Sequence, residues 1–292
     1  MLVIGCAGGL GNQMFQYAFY RKQKLKNNAY VKFDISSFSG YKQHNGFELE
    51  KIFDLDIDYA TISDICESGK ALNLLDRIKN KVLFKREPYY SRKPQEAITF
   101  FPEMEKLKEG YYFGYWQSYK YFEDITDKLR NEFNFKILLD LKNLSLKSKI
   151  ENSNSISVHV RRGDYLKEKN KIFQNICTKE YYENAINYIE QHVTNPYYFI
   201  FSNDIDWCKQ NFRLKKVMYI DWNNGQDSYK DMQLMSYCKH NIIANSTFSW
   251  WGAWLNNNSD KIVCVPEKWF DLSGCETRDI CPSEWVRIKI NG

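Results

Sequence analysis

The sequence predicts an α/β protein with two lobes, and three observations support this prediction. The chain has 292 residues, whereas single hydrophobic cores rarely grow beyond about 250–300 residues. A short apolar segment, a glycine-rich loop and an apolar-periodic segment follow one another at the start of the chain, as in a strand–loop–helix unit. From residue 152 onward, apolar strand patterns alternate regularly with helix patterns, which is typical of a parallel sheet. We therefore expect a lobe at 1–151 and another at 152–292.

The predicted N-terminal lobe begins with a strand at Leu2 to Ile4, followed by the loop GCAGGLG and a helix from Asn12 to about Lys26. Residues 30–150 are rich in aromatic side chains and less regular. Within them, the run YYFGYWQSYKYF at 111–122 predicts a strand that leads into a helix. The pattern alone does not order the topology of this lobe.

The predicted C-terminal lobe begins at the polar segment ENSNS. Its sequence pattern predicts a Rossmann-like sheet. Strands are expected at ISVHV, YYFIFS, VMYID, NIIAN and KIVCVP, with helices near 179–192, 205–211, 226–239 and 247–256. Strands separated by helices of this length form right-handed βαβ units.

Composition narrows the function classes. The net charge of +5 comes mostly from lysines scattered along the chain, which does not resemble a nucleic-acid footprint but would weakly attract nucleotide diphosphates or an acidic membrane surface. No apolar stretch approaches 18 residues, and the first residues lack a signal-peptide pattern. The eight cysteines include no C-x-x-C pair, which argues against a zinc site. We expect a cytoplasmic protein and leave peripheral contact with the inner face of a membrane open.

The segment His159-Val160-Arg161-Arg162-Gly163-Asp164 ends a predicted strand, and ligands of open α/β sheets bind beyond the carboxyl ends of strands. His159 and Arg161 share one face of the strand, while Arg162 points away. One guanidinium can clamp a phosphate and the other can pair with Asp164. The alternative is a purely structural arginine–aspartate pair.

Two further motifs follow neighbouring strands. Phe201-Ser202-Asn203-Asp204 ends the next strand. Its serine, asparagine and aspartate would also suit a turn or the N-cap of a helix. Asn245-Ser246-Thr247-Phe248 opens a helix, where hydroxyls and backbone N–H groups can bind an anion. We expect the tryptophans of this helix to pack on the sheet rather than stack on substrate.

Two other motifs carry less information. The loop Gly8-Gly9-Leu10-Gly11-Asn12 could face a ligand but equally fits a plain tight turn, since it lacks the dinucleotide fingerprint and the lysine of a P-loop. Asp54, Asp56 and Asp58 resemble an acidic metal motif, yet alternating aspartates also suit a half-exposed strand. We expect these aspartates to be structural.

In this order along the chain, GGLGNQMFQYAF at 8–19, HVRRGDY at 159–165, FSND at 201–204 and NSTFSWWGAWL at 245–255 resemble family 11 of the glycosyltransferases, the α-1,2-fucosyltransferases. The resemblance implies a GT-B fold, with two facing Rossmann-like lobes and the donor site in the cleft. It further implies transfer of L-fucose from GDP-β-L-fucose to the 2-hydroxyl of a galactose-containing glycan, inversion at the anomeric carbon, no metal ion and no other cofactor.

The resemblance also assigns roles to residues. Arg161 resembles the arginine that contacts the donor diphosphate, and His159 lies beside it. The remaining donor-site candidates are the helix-start residues Ser246, Thr247 and Phe248, the weaker candidates Asn203 and Asp231, and the N-lobe loop residues Gly9, Gly11, Asn12 and Gln13. Either Asp164 or Glu168 could take the proton of the acceptor hydroxyl.

Two alternatives remain open at this point. A glycan- or nucleotide-binding protein without catalysis could keep the aromatic surface and the basic site. A transferase that uses another nucleotide sugar could keep the phosphate-binding residues as well.

Overall fold

The computed structural model describes residues 1–27, 30–40, 44–71, 88–91, 93–163 and 165–290. Asp164, one of the two predicted proton acceptors, lies outside these residues. The chain separates into two compact units, Met1–Lys136 and Ile137–Gly292.

The first unit is built on a four-stranded parallel sheet in the order β2-β1-β4-β3. Its strands are β1 (Leu2–Gly5), β2 (Val31–Asp34), β3 (Tyr89–Tyr90) and β4 (Gly110–Phe113). Its helices are α1 (Leu10–Asn27), α2 (Leu49–Ile52), α3 (Ile62–Glu67), α4 (Pro94–Ile98) and α5 (Thr126–Glu132), with 3₁₀ turns at Ser36–Phe38, Pro102–Lys106, Tyr119–Tyr121 and Glu123–Ile125. The predicted first strand and helix are confirmed. The aromatic run 111–122 begins in β4 and ends in the 3₁₀ turn Tyr119–Tyr121 rather than in an α-helix.

Aromatic side chains fill the core of this unit. The ring of Phe19 on α1 stacks on Trp116 with 4.2 Å between centroids, and Tyr17 meets Phe33 and Phe133 edge to face. All five are buried. The high aromatic content of the sequence therefore serves packing here.

The second unit contains a six-stranded sheet in the order β10-β9-β8-β5-β6-β7, in which every pairing is parallel. Its strands are β5 (Asn154–Val160), β6 (Pro196–Ser202), β7 (Val217–Ile220), β8 (His240–Ile242), β9 (Val263–Pro266) and β10 (Val286–Ile288). Its helices are α6 (Leu141–Glu151), α7 (Lys179–His192), α8 (Ile205–Asn211), α9 (Tyr229–Tyr237) and α10 (Thr247–Trp254), with 3₁₀ turns at Glu168–Phe173 and Gly225–Asp227.

Most of this unit confirms the predicted alternation of strands and helices. Helix α10 also packs as expected, because Trp250, Trp251 and Trp254 are at most 5% exposed. Strand β10 was not predicted. No helix of the described residues combines the length and apolar character that crossing a bilayer requires.

Helix α6 explains why the boundary between the units differs from the predicted division at residue 151. The helix packs on β5 and α9 and buries Leu146 and Ile150, so it belongs to the second unit. Its pattern was missed because Leu141 and Leu144 lie on its exposed side. Apolar residues on both sides of a helix hide the single-face periodicity on which prediction depends.

Candidate functional site

The predicted motifs of the second unit meet at one edge of its sheet. Strands β6, β5 and β8 are adjacent and parallel, so their carboxyl ends point the same way. HVRRG, FSND and NSTF leave these three ends in turn. This edge is where open α/β sheets bind ligands.

Direct contacts join the end of β5 to the start of α10. The buried imidazole of His159 lies against the Phe248 ring, with 5.7 Å between centroids. The Arg161 guanidinium lies over the Tyr165 ring at 5.8 Å. The Tyr165 hydroxyl in turn donates a hydrogen bond of 3.0 Å to the carbonyl of Asn245. Arg161 and the start of α10 therefore lie at the same edge.

The two adjacent arginines have different surroundings. Arg162 Nε lies 3.1 Å from Asp204 Oδ2, and its guanidinium covers the Trp207 ring at 4.2 Å. Its carboxylate partner among the described residues is Asp204, whereas the expected pairing of one of the arginines with Asp164 lies outside them. Because Asp204 also caps α8 through the Trp207 N–H, Arg162 is a structural residue of the β5–β6 edge.

Asn203 connects the two strand ends. Its side-chain oxygen accepts hydrogen bonds from the backbone N–H groups of Arg162 at 3.0 Å and Gly163 at 3.4 Å. A Cβ atom at residue 163 would stand 2.7 Å from Asn203 Nδ2, so a larger residue there would displace the Asn203 amide. Asn203 shapes the loop that follows β5, and its contact with a nucleotide stays a prediction.

The start of α10 is held by Asn245, which lies directly before the N-cap residue Ser246. Asn245 Nδ2 donates to the carbonyl of Trp269 at 3.0 Å and to that of Phe173 at 3.3 Å. Ser246 then occupies the N-cap position without a capping hydrogen bond from its side chain. The first N–H groups of a helix have no acceptor within the helix, so this helix start can bind an anion.

A second polar cluster lies where α6 and α9 begin, beside the segment that follows β7. Asn223 Nδ2 donates to Asp231 Oδ1 at 2.7 Å, and the side-chain amides of Asn143 and Asn223 bind each other. Lys230 Nζ lies 3.0 Å from Asp140 Oδ2. Since α6 leads into β5 and α9 leads into β8, the starts of both helices face the carboxyl edge of the sheet.

The two aspartates of this cluster have opposite pKa shifts. Burial raises the pKa of Asp231 to about 7, and the hydrogen bond from Asn223 only partly offsets this rise. For Asp140, the hydrogen bond from the Asn143 backbone, followed by the one from Lys230, holds the pKa well below its usual range. Neighbouring carboxyls whose environments drive their pKa values apart are typical of functional sites.

Glu168, the other predicted proton acceptor, is exposed in the 3₁₀ turn after β5. The described residues show no hydrogen bond that would orient it toward the edge. Its catalytic role stays a prediction.

In the first unit, the predicted glycine loop joins β1 to α1. Gly8 has a φ of +90°, a left-handed conformation that favours glycine. Gln13 is buried and bonds only to backbone groups, donating to the carbonyls of Gly8 and Gly46 and accepting from the N–H of Glu48. The side chain of Asn12 accepts from Gln117 Nε2 at 2.9 Å.

Other loop residues also have structural surroundings. A Cβ atom at residue 9 would stand 3.3 Å from the His44 ring, so Gly9 allows the imidazole to approach the backbone. Gly11 is the second residue of α1. The predicted roles of Gly9, Gly11, Asn12 and Gln13 in donor binding stay predictions.

The aspartates of the acidic motif do not cluster. Asp58 pairs with Lys32 at 2.6 Å, while Asp54 and Asp56 are exposed. Within the part of the chain that the structure describes, no three His, Cys, Asp or Glu side chains are grouped as metal ligands would be.

Sequence reasoning missed three residues of this edge. Tyr165, Asn143 and Asn223 act through tertiary contacts with distant segments. Only the tyrosine carried a signal, since it ends the HVRRGDY motif.

Comparisons with known proteins agree with this geometry. The chain is 37% identical over 295 aligned positions to an α-1,2-colitosyltransferase of Escherichia coli, covering 99% of both chains. It is 35% identical to the O-antigen biosynthesis glycosyltransferase WbnK of the same species, covering 97% of this chain and 98% of that one. Galactoside α-(1,2)-fucosyltransferase 2 of Oryctolagus cuniculus is 27% identical over 145 residues, which are 48% of this chain and 41% of that protein.

Among solved structures, NodZ α-1,6-fucosyltransferase co-crystallised with GDP matches with a TM-score of 0.50 at 13% identity, over 86% of this chain and 90% of that one. At this identity the likeness shows the fold alone, which is GT-B-like, with a parallel sheet in each unit. The sequence profile of glycosyl transferase family 11 matches residues 1–289. With this match and the two full-length relatives, the chain belongs to glycosyl transferase family 11 and is a glycosyltransferase.

Proposed function

We propose that the protein transfers L-fucose from GDP-β-L-fucose to the 2-hydroxyl of a terminal galactose in a glycan, with inversion at the anomeric carbon. The observation that carries this proposal is the meeting of Arg161 with the start of α10 at one sheet edge. The names of the relatives support both the α-1,2 linkage and a deoxy-sugar donor.

The reaction is a single displacement. The acceptor oxygen forms a bond to C1 of the sugar as the bond from C1 to the diphosphate oxygen breaks, and that electron pair leaves with GDP. Arg161 and the positive end of α10 offset the charge that develops on the diphosphate. The acceptor proton passes to a carboxylate, for which Glu168 and Asp164 are the candidates.

Asp231 is suited to bind the nucleotide base. Its carboxylate is only partly exposed, and one of its oxygens accepts from Asn223. Guanine presents N1–H and N2–H donors side by side, which match a carboxylate acceptor. Asp231 and Arg161 would then hold the two ends of GDP at the same sheet edge.

The fixed positive charge of Arg161 and the helix start can replace a divalent cation at the leaving group. We therefore expect turnover to stay within about twofold of its original rate after EDTA treatment and gel filtration, since no step of the proposed mechanism uses a metal. Activity that disappears with EDTA and returns only with Mn²⁺ would disprove this metal-free mechanism.

A second donor has a specific observation in its favour. The 37% identity to a colitosyltransferase extends over 99% of the chain, and colitose is fucose without its 3-hydroxyl. Incubation with equal concentrations of GDP-fucose and GDP-colitose, a galactoside acceptor and mass measurement of the product identifies the donor.

For a fucose-specific enzyme we expect at least about a tenfold excess of the fucosylated product, because a site that hydrogen-bonds the 3-hydroxyl discriminates against its absence. A predominantly colitosylated product would reassign the donor. No mass increase with either donor would exclude both GDP-sugars as the donor.

A further inference from the structure

The turn that follows β4 in the first unit has an unusual backbone. Trp116 has a φ of +50°, a left-handed conformation that is strained for a bulky residue. Stacking on Phe19 and an edge contact with Tyr121 hold its ring. A Cβ atom at residue 114 would stand 2.9 Å from this ring, so Gly114 is also required.

This turn separates three consecutive side chains. Trp116 and Gln117 turn inward and are 3% and 6% exposed, whereas Tyr115 is 37% exposed. The turn lies beyond the carboxyl end of β4, and β4 pairs with β1, which leads into the glycine loop. A strained turn therefore places a partly exposed tyrosine ring at the carboxyl edge of this sheet, where open α/β sheets bind ligands.

Gln117 lies beside the glycine loop, and one of the two polar atoms of its amide makes no hydrogen bond with the described residues. Its Nε2 donates to Asn12 Oδ1 on the first turn of α1, but its Oε1 is buried and has no hydrogen-bond partner. An unpaired buried acceptor destabilises the free protein, and a ligand that donates a hydrogen bond to it removes this penalty.

Two neighbouring glutamines differ from Gln117 in their hydrogen bonds. Both amide atoms of Gln13 are bonded to backbone groups, and so are both amide atoms of Gln16, to Ala7 and Gly114. Of these three buried amides around the loop, Gln117 has the open acceptor.

We propose that Tyr115 and Gln117 form a subsite for the acceptor glycan. A sugar hydroxyl donates a hydrogen bond to Gln117 Oε1, and the Tyr115 ring packs on the apolar face of the pyranose. Because Oε1 lies below the surface, binding includes a small shift of the side chains around it. The subsite rests on the proposed transfer to a glycan.

The test measures glycan binding directly. Labelled full-length protein, with GDP present, is applied to an array of glycans with terminal galactose, and the same glycans serve as acceptors in kinetic assays with GDP-fucose. Tyr115→Ala and Gln117→Met are compared with wild type. Tyr30→Ala, at another exposed tyrosine, and Gln16→Met, at a fully paired amide, are the controls.

We expect both subsite variants to bind the glycans at least about tenfold more weakly, as loss of one good contact implies. Their acceptor KM should rise in proportion while the donor KM changes less than twofold. Tyr30→Ala should bind like wild type, and Gln16→Met should lose thermal stability without this selective effect on the acceptor.

If Tyr115→Ala and Gln117→Met bind the glycans as tightly as wild type, the subsite is disproved. It is also disproved if the wild-type protein binds no glycan. If product still forms in either case, the proposed function stands without the subsite. If glycans bind as expected but no donor yields product, the subsite stands as a binding site and the proposed transfer is wrong.

Discussion

Replacement of Arg161 by alanine is expected to lower kcat/KM for transfer by about 100- to 1,000-fold, the effect of removing one preorganised group that stabilises developing negative charge. The fold should persist, because Arg161 is half-exposed and its described ring contact is with Tyr165. Initial rates with GDP-fucose and a galactoside, together with a thermal unfolding curve, measure both quantities. Arg161→Lys should recover only part of the rate, since an ammonium group cannot reproduce a bidentate contact with phosphate.

Arg162→Ala is the matched control, one residue along the chain. It removes the ion pair with Asp204 and the cover over Trp207, which should cost about 1–2 kcal/mol of unfolding free energy. At a temperature where the variant is folded, we expect its rate to stay within about tenfold of wild type, since Arg162 binds protein groups. An Arg161→Ala enzyme as active as the Arg162→Ala enzyme would remove Arg161 from the mechanism.

Asp231→Asn should weaken GDP binding and stabilise the free protein at the same time. The loss of a carboxylate that accepts two guanine N–H groups is expected to raise the dissociation constant of GDP by about 10- to 100-fold. Asparagine can still accept the hydrogen bond from Asn223 and has nearly the same size, so the local packing should survive. Calorimetric titration with GDP at pH 7.5 measures the affinity.

The stability effect has a defined pH dependence. The folded protein holds the Asp231 proton up to a pKa of about 7, whereas the unfolded chain releases it near pH 4. Folding therefore takes up a proton between these values, and the contribution of Asp231 to the stability of the wild type falls as pH rises from about 4 to 7, by at most roughly 4 kcal/mol. Asp231→Asn lacks this loss, so its midpoint of thermal unfolding should exceed that of wild type at pH 8 and equal it near pH 4.

Asp140→Asn should change the stability of the protein in the opposite direction. Because the pKa of Asp140 is lowered in the folded state, its charge contributes stability above pH ~4, and this contribution is lost as pH falls through the folded pKa. The variant should therefore melt below wild type at pH 8. If both variants shifted the unfolding midpoint in the same direction at pH 8, the assignment of opposite environments to these carboxyls would be wrong.

Much of the edge of the second sheet could be predicted from local patterns. Apolar strands that each end in a polar motif indicate parallel strands whose ends lie together, and this placed Arg161, Asn203 and Ser246 correctly at one edge. Helix α6 could not be recognised in this way because exposed leucines disturb its periodicity. The Asp204 partner of Arg162 was also missed, since it comes from the next strand.

The sequence by itself determined the family, the α/β alternation and the residues that reach the strand ends, because these depend on motifs and on hydrophobic periodicity along the chain. Tertiary structure alone decided that Arg162 is tied to Asp204 and Trp207, why Asp231 keeps its proton to neutral pH, and that Gln117 has an open acceptor. The physical reason is that electrostatic environment and hydrogen-bond pairing depend on which distant segments pack together. Asn223 reaches Asp231 and Asn12 reaches Gln117 only after folding.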